Sequence, residues 1–192
     1  MLPLLLASSS PYRRELLARL RLPFGCSSPE IDESPRPDEN AIELVQRLAE
    51  EKARALANDY PDHLIIGSDQ VAVLDGRIIG KPHTFEGALD QLTAASGRSV
   101  IFLTGLALLN SATGRCQSDH VPFTVHMRTL DTASLERYLR AEQPYDCAGS
   151  FKAEGLGVSL FRATEGDDAT SLIGLPLIRL IEMLGQEGVA VP

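Results

Sequence analysis

The sequence predicts an α/β fold in which a mixed sheet is flanked by helices. Short apolar runs typical of buried strands are interspersed with stretches whose apolar residues recur at helical spacing. Hydrophobic residues make up 44% of the 192 residues, which is enough for a sizeable core. Because no repeat or long linker divides the chain, we expect a single domain over residues 1–192.

The N-terminal part begins with an apolar strand, "LPLLLASSS", and continues into a helix, "SPYRRELLARLRL". Ser10 suits the N-cap of this helix and Pro11 its first position, while Leu16, Leu17 and Leu20 form an apolar stripe. The Pro-rich, acidic segment "FGCSSPEIDESPRPDEN" has no apolar period and is expected to be a loop. The segment "AIELVQRLAEEKARALAND" predicts a strong amphipathic helix, with Ile42, Val45, Leu48, Ala49 and Leu56 on its apolar face.

The remaining elements alternate in the same way. "HLIIGSDQVAVLDGRIIGKP" predicts two strands joined by the turn Asp75-Gly76, and "TFEGALDQLTAASG" predicts a helix that Gly97 closes. Two strands with a turn near Thr113 should follow, and then a helix capped by Asp131 or Thr132. A Gly-rich stretch leads into a strand in "GSFKAEGLGVSLFRATEG", and "GLPLIRLIEMLGQEG" predicts the last helix.

Charge and cysteine usage exclude several classes of protein. The net charge of −8 argues against a protein held on nucleic acid by phosphate contacts, although a local cationic cluster can still bind a small phosphate ligand. The three cysteines, Cys26, Cys116 and Cys147, are widely spaced and form no C-x-x-C motif. Reduced thiols in a cytoplasmic protein are therefore expected. The N-terminal apolar run is too short for a signal peptide or a membrane span.

A turn of small residues, "ASSSPYRR", joins the first strand to the first helix. Small residues let a ligand approach the backbone, and the N–H groups at a helix start attract anions. Arg13 and Arg14 add positive charge to the first helical turn. The alternative is an ordinary Ser-capped helix with two solvated arginines.

An acid follows directly on a buried strand, because Asp69 of "GSDQ" comes just after the apolar run Leu64-Ile65-Ile66. Ligands of α/β proteins commonly bind at such strand ends. A buried carboxylate is costly unless it is paired or holds a metal. The alternative is that Asp69 caps a turn.

Three isolated lysines stand beside apolar or Gly-rich segments: Lys52, Lys81 and Lys152. Each alone fits a solvated surface residue, and Lys52 could pair with glutamates along its helix. Together with the arginines, Glu33 and Asp69, they supply the charges that Mg²⁺-triphosphate chemistry needs. The absence of a Walker motif, a G-x-S-x-G elbow and an H-x-x-x-H pair disfavours a P-loop enzyme, an esterase and a zinc enzyme.

These segments, in this order, resemble the Maf family of nucleotide pyrophosphatases. The matching stretches are "LASSSPYRRELL", "PEIDES", "LAEEKA", "IIGSDQVAVLDGRIIGKP", "TGLALL", "GSFKAEGLG" and "LIGLPL", and they span nearly the whole chain. The resemblance implies an elongated α/β fold with two lobes around a central cleft, often a homodimer. It also implies metal-dependent cleavage of a nucleoside triphosphate to the monophosphate and pyrophosphate.

The resemblance assigns roles to single positions. Asp69 corresponds to the general base and to a metal ligand, and Glu33 to a second acid near that metal, which is expected to be Mg²⁺ or Mn²⁺. Contacts with the triphosphate are implied for five residues: Ser8, Arg13, Lys52, Lys81 and Lys152. These roles fit the chemistry, since phosphoanhydride hydrolysis needs charge neutralised on the attacked and the leaving phosphates.

Three positions are most similar to the branch of the family that acts on 7-methyl-GTP: Tyr12, Gln70 and Glu154. That branch often has tryptophan where Tyr12 stands, and tyrosine keeps an aromatic face for the cationic 7-methylguanine ring. We expect the Glu154 carboxylate to accept both donors of the guanine edge and the Gln70 amide to donate to O6. The alternative is that Glu154, in a Gly-rich loop, points to water.

Two other functions remain open at this point. One is a pyrophosphatase for dTTP, UTP or other modified nucleotides, and the other is a nucleotide-binding regulator of cell division. A small-molecule nucleotide is the expected partner in each case, with neither nucleic acid nor a membrane involved.

Overall fold

The computed structural model describes residues 2–191. Seven strands and six α-helices occur in that part of the chain, in the order β1 (Leu4–Ala7), α1 (Pro11–Ala18), β2 (Phe24–Ser27), α2 (Ala41–Ala55), β3 (Leu64–Leu74), β4 (Arg77–Ile79), α3 (Phe85–Ala95), β5 (Ser99–Asn110), β6 (Cys116–Met127), α4 (Thr132–Glu142), β7 (Phe161–Glu165), α5 (Ala169–Ile173) and α6 (Leu177–Gln186). Two 3₁₀ turns, Ala148–Ser150 and Leu156–Leu160, lie between α4 and β7.

The seven strands form one mixed sheet, which confirms the predicted α/β class. The strand order is β2-β1-β3-β5-β6-β7, and β4 pairs with β3 outside this path. Strand β1 is parallel to both β2 and β3, whereas β4 is antiparallel to β3 and β7 is antiparallel to β6. Parallel pairs require crossover connections, and α1 and α2 provide them here.

The chain divides into two compact units. The first comprises residues 1–70, 104–121 and 168–192, and the second comprises residues 71–103 and 122–167. Each of the strands β3, β5 and β6 has one end in the first unit and the other end in the second. Most residues that the sequence associates with phosphate chemistry belong to the first unit.

The core of the first unit covers both faces of the sheet. Leu4 and Leu6 of β1 pack into one apolar cluster, and Leu5 and Ala7 pack into another. Successive residues of a strand point to opposite faces, so a continuous apolar run such as "LLLA" marks a strand that is buried on both sides. Helices α1 and α6 contribute to the first cluster, and the end of α2 contributes to the second.

Helix α2 lies unusually close to the sheet because two glycines face it. A Cβ atom on Gly67 would lie 1.9 Å from the carbonyl oxygen of Ala49, and one on Gly105 would lie 2.1 Å from that of Val45. Either contact is far inside van der Waals range, so only glycine permits this separation. The first turn of α2 is fixed by a capping box, in which Asn40 accepts from the backbone of Glu43 and the Glu43 carboxylate accepts in return.

The second unit has its own aromatic core and its own helix pair. Phe151 makes edge-to-face contacts with Phe102 and Phe161, with ring centroids 5.2 and 4.7 Å apart. Helix α3 packs on α4. The hairpin between β3 and β4 turns through Asp75 and Gly76, both with positive φ, as the sequence predicts.

The structure departs from the predicted elements at four places. Asp69, expected at the end of a buried strand, lies in the middle of β3, which continues to Leu74. The predicted loop after α1 contains the short strand β2, whose residues are half-buried or exposed and therefore show no apolar period. A helix of five residues, α5, precedes the last helix and was not predicted, since five residues are too few to reveal a helical period. Ile42 is 38% exposed, so it lies at the margin of the apolar face of α2.

Candidate active site

The first unit brings three of the predicted site residues into one ion cluster. The Lys52 ammonium lies 2.7 Å from Asp69 Oδ1 and 2.9 Å from Glu33 Oε1. Lys52 and Asp69 are buried, at 7% and 8% exposure, whereas 59% of the Glu33 side chain is exposed. The lysine is thus paired with two carboxylates, of which one is held in the interior and the other is open to solvent.

The geometry of this ion pair follows from the strand period and from Gly67. Residues 67 and 69 of β3 are two apart and therefore share the sheet face on which α2 packs. The missing side chain of Gly67 lets Ala49 and Ala53 of α2 approach the strand. The next side chain on that helix face, Lys52, then reaches Asp69 directly.

Arg13 adds a second cation beside this cluster. Its Nε atom donates to the carbonyl oxygen of Gly174 at 2.8 Å, which orients the guanidinium plane. Burial lowers the pKa of Arg13 from its ordinary value, while the charges of Asp69 and Glu33 act in the opposite direction. Arginine stays protonated at neutral pH even so, and the remaining fork of N–H donors suits a phosphate.

The turn before α1 has the capping geometry that the sequence predicts. Ser10 is the N-cap and accepts from the backbone N–H of Arg13, with Pro11 at the first helical position. Ser8 is buried, and its hydroxyl oxygen accepts from the backbone N–H of Ser10 at 3.1 Å. A hydroxyl that accepts retains its own hydrogen, so Ser8 can still donate to an anion. Tyr12, in the first turn of α1, is half-buried.

The opposite face of β3 carries Ser68 and Gln70, which bind other parts of the protein. The Gln70 amide nitrogen donates to Thr104 Oγ1 at 2.9 Å and to the carbonyl oxygen of Ser171 at 2.7 Å. The reverse amide orientation would set the Gln70 oxygen against a carbonyl oxygen. Both amide hydrogens are therefore used within the chain, and the expected donation from Gln70 to O6 of the base stays a prediction that requires one of these bonds to break.

Sequence reasoning missed the segment that holds this polar face together. The carbonyl oxygen of Gly174 accepts from both Arg13 Nε and the Ser68 hydroxyl. Gly174 has a φ of 125°, in a region that favours glycine, so the direction of this carbonyl depends on the residue type. The motif "LIGLPL" contains this glycine, but a backbone acceptor leaves no side-chain pattern to recognise.

A buried carboxylate fixes this segment in place. Asp168 is 3% exposed, and its Oδ1 accepts from the N–H and the hydroxyl of Thr170, while its Oδ2 accepts from the N–H of Ile178. Thr170 in turn accepts from the N–H of Leu177. One acid therefore caps α5 and contributes to the start of α6, which begins after Pro176 without a cap of its own.

The other three predicted residues belong to the second unit. Lys81 is exposed in the segment between β4 and α3. Lys152 is half-buried, with its ammonium 3.4 Å from the carbonyl oxygen of Glu142, and Glu154 is exposed in the Gly-rich loop. These positions suit residues that contact a ligand from solvent, and their roles stay predictions.

The two carboxylates paired with Lys52, those of Asp69 and Glu33, are hard oxygen ligands. Within residues 2–191, no three His, Cys, Asp or Glu side chains are grouped so that they could hold a metal ion. Mg²⁺ in nucleotide enzymes is usually bound by one or two carboxylates together with substrate phosphates and water. Asp69 and Glu33 therefore fit a cation that is bound together with the nucleotide phosphates.

Comparison with known proteins identifies the family of this chain. The profile of the Maf family, described as Maf-like protein, matches residues 3–187. The chain belongs to the Maf family. A relative from Pseudomonas fluorescens (strain Pf0-1) is 81% identical over the full length of both chains, and one from Pseudomonas syringae pv. tomato is 79% identical over 98% of each. A third, from Pseudomonas aeruginosa, is 70% identical over 98% of each, and all three are named 7-methyl-GTP pyrophosphatase.

The family assignment confirms the resemblance derived from the sequence motifs. The cysteines Cys26, Cys116 and Cys147 are free thiols. Among the described residues, no helix has both the length and the apolar character needed to cross a membrane.

Proposed function

We propose that this chain hydrolyses 7-methyl-GTP to 7-methyl-GMP and pyrophosphate in the presence of Mg²⁺ or Mn²⁺. The observation that carries the proposal is the cluster of Asp69, Lys52 and Glu33 beside the Arg13 guanidinium. It combines a buried acid with two cations, which is the inventory for phosphoanhydride hydrolysis. The family and the name that three relatives share supply the substrate class.

Asp69 is the general base in this proposal. One carboxylate oxygen is fixed by Lys52, and the other orients a water molecule and accepts its proton. The water oxygen bonds to the α-phosphorus as the bond from that phosphorus to the bridging oxygen breaks, and pyrophosphate leaves. Lys52 and Arg13 neutralise charge on the phosphates, and Ser8 donates a hydrogen bond to them.

The metal has a defined place in the proposal. A divalent cation supplies charge neutralisation on the triphosphate, and Asp69 and Glu33 would hold it. Since Lys52 lies between these two carboxylates, it must share them with the cation or turn toward the phosphates. Glu33 suits this exchange because its side chain is largely open to solvent.

Recognition of the base is assigned to Tyr12 and Glu154. An aromatic ring on the cationic 7-methylguanine contributes about 0.5–2 kcal/mol, and the exposed Glu154 carboxylate can accept the N1–H and the amino group together. Uracil and thymine lack the second donor and the positive charge. Lys81 and Lys152 complete the expected phosphate contacts.

The first test is turnover of a nucleotide panel by the wild-type chain and by Glu154→Gln. We expect 7-methyl-GTP to be the best substrate, and the variant to lose at least about tenfold in kcat/KM for it, or ~1.4 kcal/mol. Turnover of UTP or dTTP should rise in the variant. A wild-type preference for dTTP or UTP would support the other substrate class and would overturn the assignment to 7-methyl-GTP.

A second test separates catalysis from folding. Asp69→Asn keeps the shape of the side chain but removes its basicity and its negative charge. We expect kcat to fall by about 10²–10⁴-fold, with a circular dichroism spectrum like that of the wild-type chain. Retention of more than about a tenth of wild-type kcat would contradict the role of Asp69.

The oligomeric state forms a separate part of the proposal. We carry over the homodimer that the family resemblance implies, and the measurement is light scattering coupled to size-exclusion chromatography. A mass close to the 20.8 kDa of one chain would reject the dimer without affecting the catalytic proposal.

A further inference from the structure

The Gly-rich loop of the second unit is tied to the end of helix α4 by three hydrogen bonds. The backbone N–H of Lys152 donates to the Tyr138 hydroxyl at 3.1 Å, and the Lys152 ammonium lies 3.4 Å from the carbonyl oxygen of Glu142. The Glu142 carboxylate accepts from the backbone N–H of Leu156 at 2.8 Å. The helix therefore holds the loop at both ends, at residues 152 and 156.

The loop is also closed on itself. The carbonyl oxygen of Lys152 accepts from the N–H groups of Gly155 and Gly157. A Cβ atom on Gly157 would lie 2.2 Å from that same carbonyl oxygen, and one on Gly155 would lie 2.8 Å from the Glu142 carboxylate. Glycine is therefore required at position 157 by the close approach of the backbone, whereas beside Gly155 the end of the Glu142 side chain fills the space.

We propose that Glu142 and Tyr138 are positioning residues that set the direction of Glu154, and through it the preference for the nucleobase. The inference rests on the proposed function, in which Glu154 reads the base. Glu154 lies between the two tied residues, so its backbone is fixed on either side by α4. Without these bonds, a segment with two glycines would sample many conformations, and the Glu154 carboxylate would spend little time in one orientation.

The surroundings of Tyr138 suit this role. The residue is 4% exposed, and burial is the main cause that raises the pKa of its phenol, with the charges of Glu142 and Glu154 adding to the effect. The hydroxyl therefore stays neutral and remains an acceptor of ordinary strength for the Lys152 N–H. Neither Tyr138 nor Glu142 needs to touch the substrate for this purpose.

The experiment compares Glu142→Ala with Glu142→Gln and with Glu136→Ala. Glutamine retains an oxygen that can accept from Leu156, whereas alanine removes it. Glu136 lies on the same helix and pairs with Arg140, so its removal is a matched control for the loss of an α4 carboxylate. Tyr138→Phe removes only the hydroxyl and tests the second bond separately.

We expect Glu142→Ala to raise KM for 7-methyl-GTP by about tenfold, with kcat changed by less than about threefold, since it disturbs binding orientation rather than the reacting groups. The ratio of kcat/KM for 7-methyl-GTP to that for UTP should fall in the same variant, because uracil lacks the second donor that Glu154 accepts. Glu142→Gln should restore most of both quantities, and Glu136→Ala should resemble the wild type. Tyr138→Phe should give a smaller change in the same direction.

Hydrogen exchange of the nucleotide-free protein gives a readout that does not depend on turnover. The Leu156 amide should exchange faster in Glu142→Ala and near the wild-type rate in Glu136→Ala. Unchanged exchange at residues 155–157, or faster exchange with an unchanged preference between the two nucleotides, would overturn the positioning role. If the wild-type chain hydrolysed neither nucleotide, the proposed function would fail and the positioning role with it, while the exchange rates would still show whether Glu142 holds the loop.

Discussion

Lys52 occupies a position in which a cation is needed by the fold as well as by the chemistry. It is buried beside Asp69, and without it two carboxylates would face each other, one of them in the protein interior. Removing one partner of a buried pair leaves an uncompensated charge. Lys81, by contrast, is exposed. The two lysines share an expected phosphate role but differ in what they contribute to stability.

We therefore predict that Lys52→Met destabilises the protein by about 3–5 kcal/mol, which lowers Tm by roughly 10 °C in a chain of this length. Lys81→Met is the matched control and should leave Tm within about 2 °C, since surface substitutions rarely change stability by more than ~0.5 kcal/mol. Both variants should lose activity. Thermal unfolding followed by circular dichroism measures the difference, and equal Tm values for the two variants would show that Lys52 does not stabilise Asp69.

The single residues could be predicted to different degrees. Asp69 could be predicted because it directly follows an apolar run, a signal that is local in the sequence, although it lies within β3 and not at its end. Its pairing with Lys52, 17 positions earlier, depends on the separation of helix and sheet, which no local pattern encodes. The internal partners of Gln70, Thr104 and Ser171, could not be predicted because they are distant in the sequence.

At the scale of elements, the close packing of α2 on β3 controls the site. The strand carries Asp69, the helix carries Lys52, and Gly67 sets the distance between them. With a side chain at position 67, helix α2 would lie further from the sheet. The ion pair would then lengthen and admit water.

This packing gives a second prediction. Gly67→Ala places a methyl group 1.9 Å from the Ala49 carbonyl oxygen, so α2 must move, at a cost of about 1–3 kcal/mol or more. Activity should fall as well, because Lys52 moves with the helix. Gly185→Ala is the control, since nothing lies within 4 Å of its added Cβ, and its stability should change by no more than about 1 kcal/mol. Denaturant unfolding of the two variants measures the contrast, and a wild-type stability for Gly67→Ala would contradict the packing argument.

The elements themselves were predicted where burial imposes a period. Strands β1 and β3 and helix α2 have long or regular apolar patterns, and their positions agree with the sequence. Strand β2 and helix α5 have too few buried residues to form such a pattern. The segment around Asp168 was missed for a related reason, since its hydrogen bonds run through backbone groups and one buried acid.

At the scale of the whole molecule, the proposed substrate is a polyanion although the protein itself is acidic. The net charge is −8, yet Arg13 and Lys52 lie at the candidate site, where they are paired with Asp69 and Glu33. The charges of these four side chains therefore nearly cancel. A triphosphate without a metal ion would be repelled by the net negative charge of the protein. A divalent cation bound to the nucleotide removes much of that repulsion.

We accordingly predict that metal and nucleotide stabilise the protein only together. Mg²⁺ alone, at about 5 mM, should leave Tm unchanged, whereas Mg²⁺ with 7-methyl-GMP and pyrophosphate should raise it by several degrees, about 2–4 °C for each 1 kcal/mol of linkage. EDTA should abolish hydrolysis, and Mg²⁺ or Mn²⁺ should restore it. A large rise in Tm with Mg²⁺ alone would point to a resident metal site, and full activity in a metal-stripped sample would reject the metal requirement.

The central claim is that water attacks the α-phosphorus of 7-methyl-GTP. Mass spectrometry of the products formed in ¹⁸O-labelled water tests it in one measurement, because the label marks the phosphorus that water attacked. The account predicts 7-methyl-GMP that carries one ¹⁸O atom, together with unlabelled pyrophosphate. Formation of 7-methyl-GDP and phosphate, or of labelled pyrophosphate, would contradict it.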